Sequence, residues 1–553
     1  MPPPGGMLKS ILNRQVFMSR RPLLLAVIVV SCARALPAQM EHEHGGAPPA
    51  RLGRVAFPTS CAATAQPLFE RGVALLHSFW YEESARAFRA ASAADTACAM
   101  ASWGLAMTYL HPLWAPPTPQ ELRAGAAAVD RARALGAPAG REHDYVEAIG
   151  AFYREYATVG HVDRLRAYEQ AMGQLQQAYP ADTEGAIFHA LTMIAVALNS
   201  PHDTALVLDR AAGAILEPLF QRQPDHPGLA HYLIHAYDMP ELAQEGARAA
   251  DRYAGIAPDV PHARHMPSHI YTRLGMWDAS IRSNISAATA ARAWERQQRL
   301  TAVWDQRLHA MDYLAYAYLQ QGRDAEAQRV VADASTMRQF FPDGSITAQY
   351  AAAAIPARYA LERGRWRAAA DLTVHDDYQP PAAAVTRFAR ALGAARAGDT
   401  ALARTELAAL AALDNDLARR HVPQWSGMVH AQRLAAEAWL ARAAGDPVGA
   451  VQLAAQAADL EDSTDKNPVT PGAILPAREL LGDLLLDLGR PDEAKAAYAA
   501  ALAMQPRRAR SLAGGIRSAE QSGDQTTARA WALEYRNLRT GSAVRGRTSP
   551  GTH

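Results

Sequence analysis

The sequence predicts an all-α protein, a solenoid of helix–turn–helix units, and three observations carry that expectation. A glycine followed five residues later by alanine recurs at Gly322/Ala327, Gly364/Ala369, Gly398/Ala403, Gly445/Ala450, Gly489/Ala494 and Gly523/Ala528, with Gly275/Ser280 as a variant. Glycine frees a turn and alanine lets two helices approach closely, so each recurrence marks one helical hairpin. Apolar residues keep the 3.6-residue helical period, and Pro and Gly fall between the periodic segments. No segment carries a competing strand signal.

Taken in order, the 553-residue chain opens with an address. Arg20 and Arg21 precede the apolar run Pro22 to Val30, too short to span a bilayer and suited to a signal peptide over residues 1–38. Cleavage at Ala35 or Ala38 is preferred over a lipid anchor at Cys32, and Met18 is an alternative start. Residues 39–58, with His42 and His44, read as a flexible, solvated tether rather than a weak metal site. Export leaves Cys61 and Cys98 in an oxidising compartment, where one bridge would clamp the N-terminal segment to the first helical pair; two unpaired buried thiols are the alternative. Divergent helical units are expected over 59–224, a histidine-rich segment over 225–320, and regular repeats over 321–538. Longer loops are expected at 374–382 and 461–473, and a disordered tail over 539–553.

Leu481, Gly482, Leu485, Gly489, Ala494, Tyr498, Ala501 and Pro506 together resemble the tetratricopeptide repeat (TPR) family. The resemblance extends over most of Phe69 to Tyr535. It implies a right-handed superhelix whose first helices line a concave groove that binds peptides or partner proteins. The strings HSFWYEESARAF, CAMASWGLAM, DHPGLAHYLIHAYD and HARHMPSHIYTRLGMWD also resemble a group of exported bacterial TPR proteins, a likeness that brings no activity with it.

Six histidines (His226, His231, His235, His262, His265 and His269) fall within 44 residues, where 19 in 553 gives about 1.5. Counting back from each turn, offsets of 11, 8, 7 and 4 mark the packed stripe, as at Met311, Leu314, Ala315 and Tyr318. Offsets of 13, 10, 6 and 3 mark the opposite, groove-facing stripe. In three successive units that stripe reads Asp225, Gly228, Tyr232, His235; then His262, His265, His269, Thr272; then His309, Asp312, Tyr316, Leu319. Later units place Ala351, Ala354, Arg358 and Leu361 there, and no later stripe carries a histidine. His231, at offset 7, falls on the packed stripe and reads as structural. Pro261 and Pro267 threaten the phase of His262 and His265, because proline interrupts helical hydrogen bonding.

Asp225, Tyr232, His235, His262, His265, His269, His309, Asp312 and Tyr316 are therefore the candidate ligand-groove residues. His235, His265, His269, His309 and Asp312 form a candidate site for divalent Zn, Cu, Fe or Ni. A polar groove that meets a peptide and requires no cofactor is the competing reading. His77 reads either as groove-facing or as packed beside Trp80, and the His111–Pro117 loop as a rigid aromatic turn near the groove end. Arg264 and Arg273 are weaker candidates for clamping an anion.

Charge excludes other classes. Fifty-six basic against 55 acidic residues give a formal +1, so no global field draws the chain to nucleic acid. Mean hydropathy of -0.18 argues against a polytopic membrane protein. The sequence lacks a His-Glu-x-x-His helix, a Gly-x-Ser-x-Gly elbow, a Walker loop and a Cys-x-x-Cys pair. The expected function is an exported solenoid of the periplasm or cell envelope that binds a peptide, protein or small ligand in its groove. The alternatives are a metal-binding protein or metal-dependent enzyme using the groove cluster, and a structural envelope scaffold.

Overall fold

The computed structural model describes residues 50–201, 203–420 and 423–540. Each turn glycine named above has positive φ, from 60° at Gly364 to 87° at Gly445. A side chain there would be strained, which is why the turn recurs as glycine. The small residues five positions on are the helix–helix contacts: Ala327, Ala369, Ala403, Ala450, Ala494 and Ser280 are fully buried. Hairpins follow in register, including Asp305–Gln320 with Asp324–Ala334, Pro380–Ala397 with Thr400–Arg419, and Ala477–Asp487 with Pro491–Met504. The 110–220 stretch, where the repeat pattern fades, holds the same hairpins, such as Arg141–Tyr153 with His161–Ala178. The fold is all-α, a TPR-like helix–turn–helix solenoid, and among the described residues the only strands are a two-residue parallel pair, Val303–Trp304 with Phe340–Phe341.

Four features depart from a simple open solenoid. The N-terminal segment is packed from residue 50 onward, which shortens the expected tether: Leu52 and Phe57 are buried, Arg51 pairs with Asp259, and Arg54 donates its amide to the carbonyl of Asp225. Cys61 and Cys98 form a disulfide. The C-terminal hairpin Ala509–Gln521 with Gln525–Thr540 returns to the middle of the chain, where Trp277 donates its indole N–H to the carbonyl of Arg507 at 3.0 Å. Arg539 and Thr540 are helical, so the expected tail begins later than Arg539.

Most consequential is the connection after Pro447–Asp462. It packs against the stripe expected to face a groove instead of leaving it to solvent. The carbonyls of Pro468 and Thr470 accept from the Tyr313 hydroxyl, and those of Gly472 and Ala473 accept from Arg358. As a result every residue of Asp305–Gln320 is buried, including its groove-facing stripe. Pro227–Ala236 is likewise buried on all sides. The expected leader, Cys32, His42 and His44 lie outside the described residues. Among the described residues no helix is long and apolar enough to cross a membrane.

Candidate metal centre

Four short stretches bring six imidazoles together. His231 and His235 stand one turn apart on Pro227–Ala236; His262 and His265 lie on Pro261–His265, His269 on Pro267–Arg273 and His309 on Asp305–Gln320. Pro267 interrupts the hydrogen-bond ladder without breaking direction, because Met266 before it stays right-handed helical at φ -52°, ψ -37°. The phase therefore carries through the two prolines, and His262, His265 and His269 share one side.

Burial keeps these rings neutral. It lowers the proton affinity of His231, His235, His265 and His309 well below the ordinary imidazole value and that of His262 to about 3. His269 is lowered as well, although Asp238 opposes the shift. A neutral imidazole owns one N–H and one lone pair.

Five of the six rings have that N–H committed at Nδ1. His231 donates to the carbonyl of His77 at 2.6 Å, His262 to Gln306 Oε1 at 3.1 Å and His265 to Asn284 Oδ1 at 2.7 Å. His269 donates to Asp238 Oδ2 at 2.8 Å and His309 to the carbonyl of Val469 at 3.1 Å. The Asn284 amide is itself fixed, since its Nδ2 donates to the carbonyl of Ser280. Their Nε2 atoms consequently carry lone pairs, and these face one another. His231 and His262 approach Nε2 to Nε2 at 3.1 Å, His265 and His269 at 3.0 Å, and His235 Nε2 lies 3.2 Å from that of His231. His309 Nε2 is buried with no hydrogen-bond partner.

Opposed lone pairs at this distance repel unless a cation lies between them. Two nitrogens bound tetrahedrally at about 2.0–2.1 Å to one ion are roughly 3.3 Å apart, close to these separations. Backing of each ring by an oxygen acceptor at the far nitrogen is also what orients metal-ligating histidines. The rings fall into two sets, His231/His235/His262 and His265/His269/His309; within each, one ligand atom per residue lies within 4.8 Å of the others.

The surroundings fix this array. Asp238 accepts from His269, from Lys466 Nζ at 2.5 Å and from Arg273 Nε at 3.0 Å. Burial alone would raise the Asp238 carboxyl, but Lys466, Arg273 and His269 outweigh it and hold it well below the usual range. Burial pulls Lys466 down to about 8. The Trp114 ring stands edge-on to His262 and His309, 5.3 Å from each, so the expected aromatic loop does cover the cluster. A chamber of ≈ 80 Å³ has His235, Asp238, Arg273 and Lys466 in its wall. A cavity of ≈ 750 Å³ beside it includes Phe79, Trp114 and Gln306, which touch the cluster from outside.

Several candidate residues have different roles from those expected. Asp312 is not available as a ligand: it is fully buried against Arg358, receiving Nε at 2.8 Å and Nη2 at 3.3 Å. His231, expected to be structural, stands in the first set because a helix buried on all sides has no purely packed face. Asp225 is exposed, with Arg252 as its distant partner at 3.7 Å, and takes no part. Tyr232 bonds to His77, and Tyr316 to Gln505 and Arg508, so both hydroxyls are engaged within the protein. Arg273 does clamp a carboxylate, that of Asp238, while Arg264 bonds to the carbonyl of Pro258 and to Ser286. Sequence reasoning missed Asp238 and Lys466 as site residues. Lys466 had left a signal: Lys9, Lys466 and Lys495 are the lysines in a chain whose basic residues are otherwise arginine.

His77 neither faces a groove nor serves merely as packing for Trp80. It donates Nε2–H to Glu184 Oε2 at 2.9 Å, and His226 donates Nε2–H to Glu184 Oε1 at 2.9 Å. His226 Nδ1 accepts from the amide of Leu229 and His77 Nδ1 from the Tyr232 hydroxyl, so both rings have a partner at each nitrogen.

Residues 475–508 match the tetratricopeptide repeat, over the hairpin Ala477–Asp487 with Pro491–Met504. That repeat is in general a protein-interaction scaffold. No curated protein matches the chain. Among solved structures, the human IFIT1 dimer with PPP-AAAA is similar at 11% identity, covering 88% of this chain and 92% of that one with a TM-score of 0.36. The APC/C hetero-tetramer Cut9-Hcn1 is similar at 12% identity, covering 87% and 74%, again with a TM-score of 0.36.

Proposed function

We propose that this chain is a transition-metal protein whose TPR-like solenoid holds a buried, all-histidine centre. One observation carries the reading: five imidazoles have their only proton pinned at Nδ1, and their Nε2 lone pairs converge with no proton to share. In a protein without metal that arrangement is electrostatically frustrated; a cation between the lone pairs resolves it. Three protein ligands leave a coordination position open, as catalytic metal sites do and closed structural sites do not. The open-groove peptide reading finds less support over residues 225–320, where the chain's own 466–473 segment takes the place a peptide would fill. The disulfide between Cys61 and Cys98 supports an oxidising compartment, and with it the export expected of the leader.

The test is metal content per mole of protein purified without a histidine tag and before any chelator. At least near-stoichiometric metal, lowered in a still-helical His265→Ala/His269→Ala variant by the share that the second set holds, is the expected result. A protein that neither contains nor takes up Zn, Cu, Fe or Ni overturns the reading.

A further inference from the structure

The two histidine sets share a construction. In each, a pair four residues apart supplies two rings on one side of a helix: His231 with His235, and His265 with His269. A third ring closes each set from a neighbouring helix, His262 in the first and His309 in the second. The sets also adjoin. His262 and His265 are three residues apart with ring centroids 6.0 Å from each other, and His235 and His269 meet across the other side at 5.9 Å.

We infer that the centre is dinuclear, with one copper ion in each three-histidine set and the two ions near enough for a small oxygen ligand to bridge them. This rests on the metal reading above and extends it to nuclearity, metal and exogenous ligand. The donor chemistry suits copper, and its affinity order places copper above zinc, which three imidazoles also hold. Six neutral imidazoles contribute no carboxylate, which the common non-haem iron triad requires, and no thiolate. The nearby carboxylates are engaged elsewhere: Asp238 with His269, Lys466 and Arg273, and Asp312 with Arg358. For nitrogen donors copper stands at the top of the divalent affinity order.

Charge selects the bridge. Two cations held only by neutral ligands in a buried site carry uncompensated charge, which is costly at low dielectric. A hydroxide between them relieves that cost, and paired metal sites of this kind are about 3.5–4 Å apart. Access is present as well. The ≈ 80 Å³ chamber has His235, a member of the first set, in its wall. A water occupies only ≳ 10–15 Å³ of such a volume, so water or a diatomic molecule fits.

The experiment uses the full chain, loaded with copper, oxidised to Cu(II), and measured for copper per chain and for low-temperature electron paramagnetic resonance. Two coppers per chain with most of the Cu(II) signal missing through magnetic coupling is the expected outcome. Acid denaturation should then restore the whole signal, which separates coupling from reduction to Cu(I). His231→Ala/His262→Ala should hold one copper that gives a full uncoupled signal, as should His265→Ala/His309→Ala. Saturation of the wild type at one copper overturns the inference, and so do two coppers with a fully integrating signal. These two results need no variant, so misfolding of a variant does not protect the proposal. Absence of any metal uptake is a separate outcome that defeats the metal reading itself.

Discussion

Two buried histidine clusters adjoin in this molecule, and they resolve the same problem in opposite ways. In the first, His77 and His226 point their Nε2–H groups at one carboxylate, Glu184. Burial alone would raise that carboxyl, yet the two imidazoles hold it at about 2. Every ring nitrogen there has a partner, and the protons suffice. In the second, the same residue type at the same depth is oriented by acceptors at Nδ1, one of them the carbonyl of His77 itself. The protons are drawn outward and the lone pairs left facing inward. Proximity of three potential ligands is common to both clusters; the assignment of protons is what separates a structural network from the proposed metal site.

Several experiments sharpen or break that contrast. The largest effect is expected from Glu184→Ala, which strands two buried imidazole donors and should cost about 3–5 kcal/mol in urea denaturation. Metal content should survive wherever the protein still folds. Loss of metal with little loss of stability would invert the assignment. Next, metal removal should lower the stability of the wild type by about 2.7 kcal/mol when free metal is 100 times Kd. The same shift is expected in Glu184→Gln and a smaller one in His265→Ala/His269→Ala, which keeps the His231/His235/His262 set, read from melting curves with and without chelator. Asp238→Asn should follow: it weakens the acceptor that orients His269, and metal affinity should fall about 10–100-fold in competition titrations. The smallest effect is expected from Tyr232→Phe, which removes the hydroxyl on His77 at a cost of about 1 kcal/mol and leaves metal binding unchanged.

How far the site was legible depended on how local the relevant contact was. The stripe count picked out His235, His269 and His309, rings that the fold gathers, because helical phase is a property of adjacent residues. It retained His262 and His265 with doubt over Pro261 and Pro267, and Met266 removes that doubt by staying helical. It set His231 apart, since the count assumes one dry face and one wet face; Pro227–Ala236 is buried on both, and His231 lies with His235 and His262. It offered Asp312 as a ligand while placing Arg358 on the same stripe of the next unit. Those two facts together anticipate the ion pair that removes Asp312 from the site. Asp238 was read only as a turn residue, and its role depends on Lys466, more than two hundred positions away.

By itself the sequence determined the all-α repeat, its glycine turns and alanine contacts, and the concentration of imidazole in the middle units. These follow from short-range rules: the 3.6-residue period, the need for positive φ at a turn, and the small volume of alanine between helices. Tertiary structure decided that residues 466–473 cover the stripe expected to face a groove, and that Asp238 and four other acceptors orient the rings. It also decided that one histidine cluster keeps its protons between its members while the other turns its lone pairs inward. Those outcomes depend on hydrogen bonds and charges between distant segments, such as Lys466 with Asp238 and Val469 with His309, which no local pattern encodes.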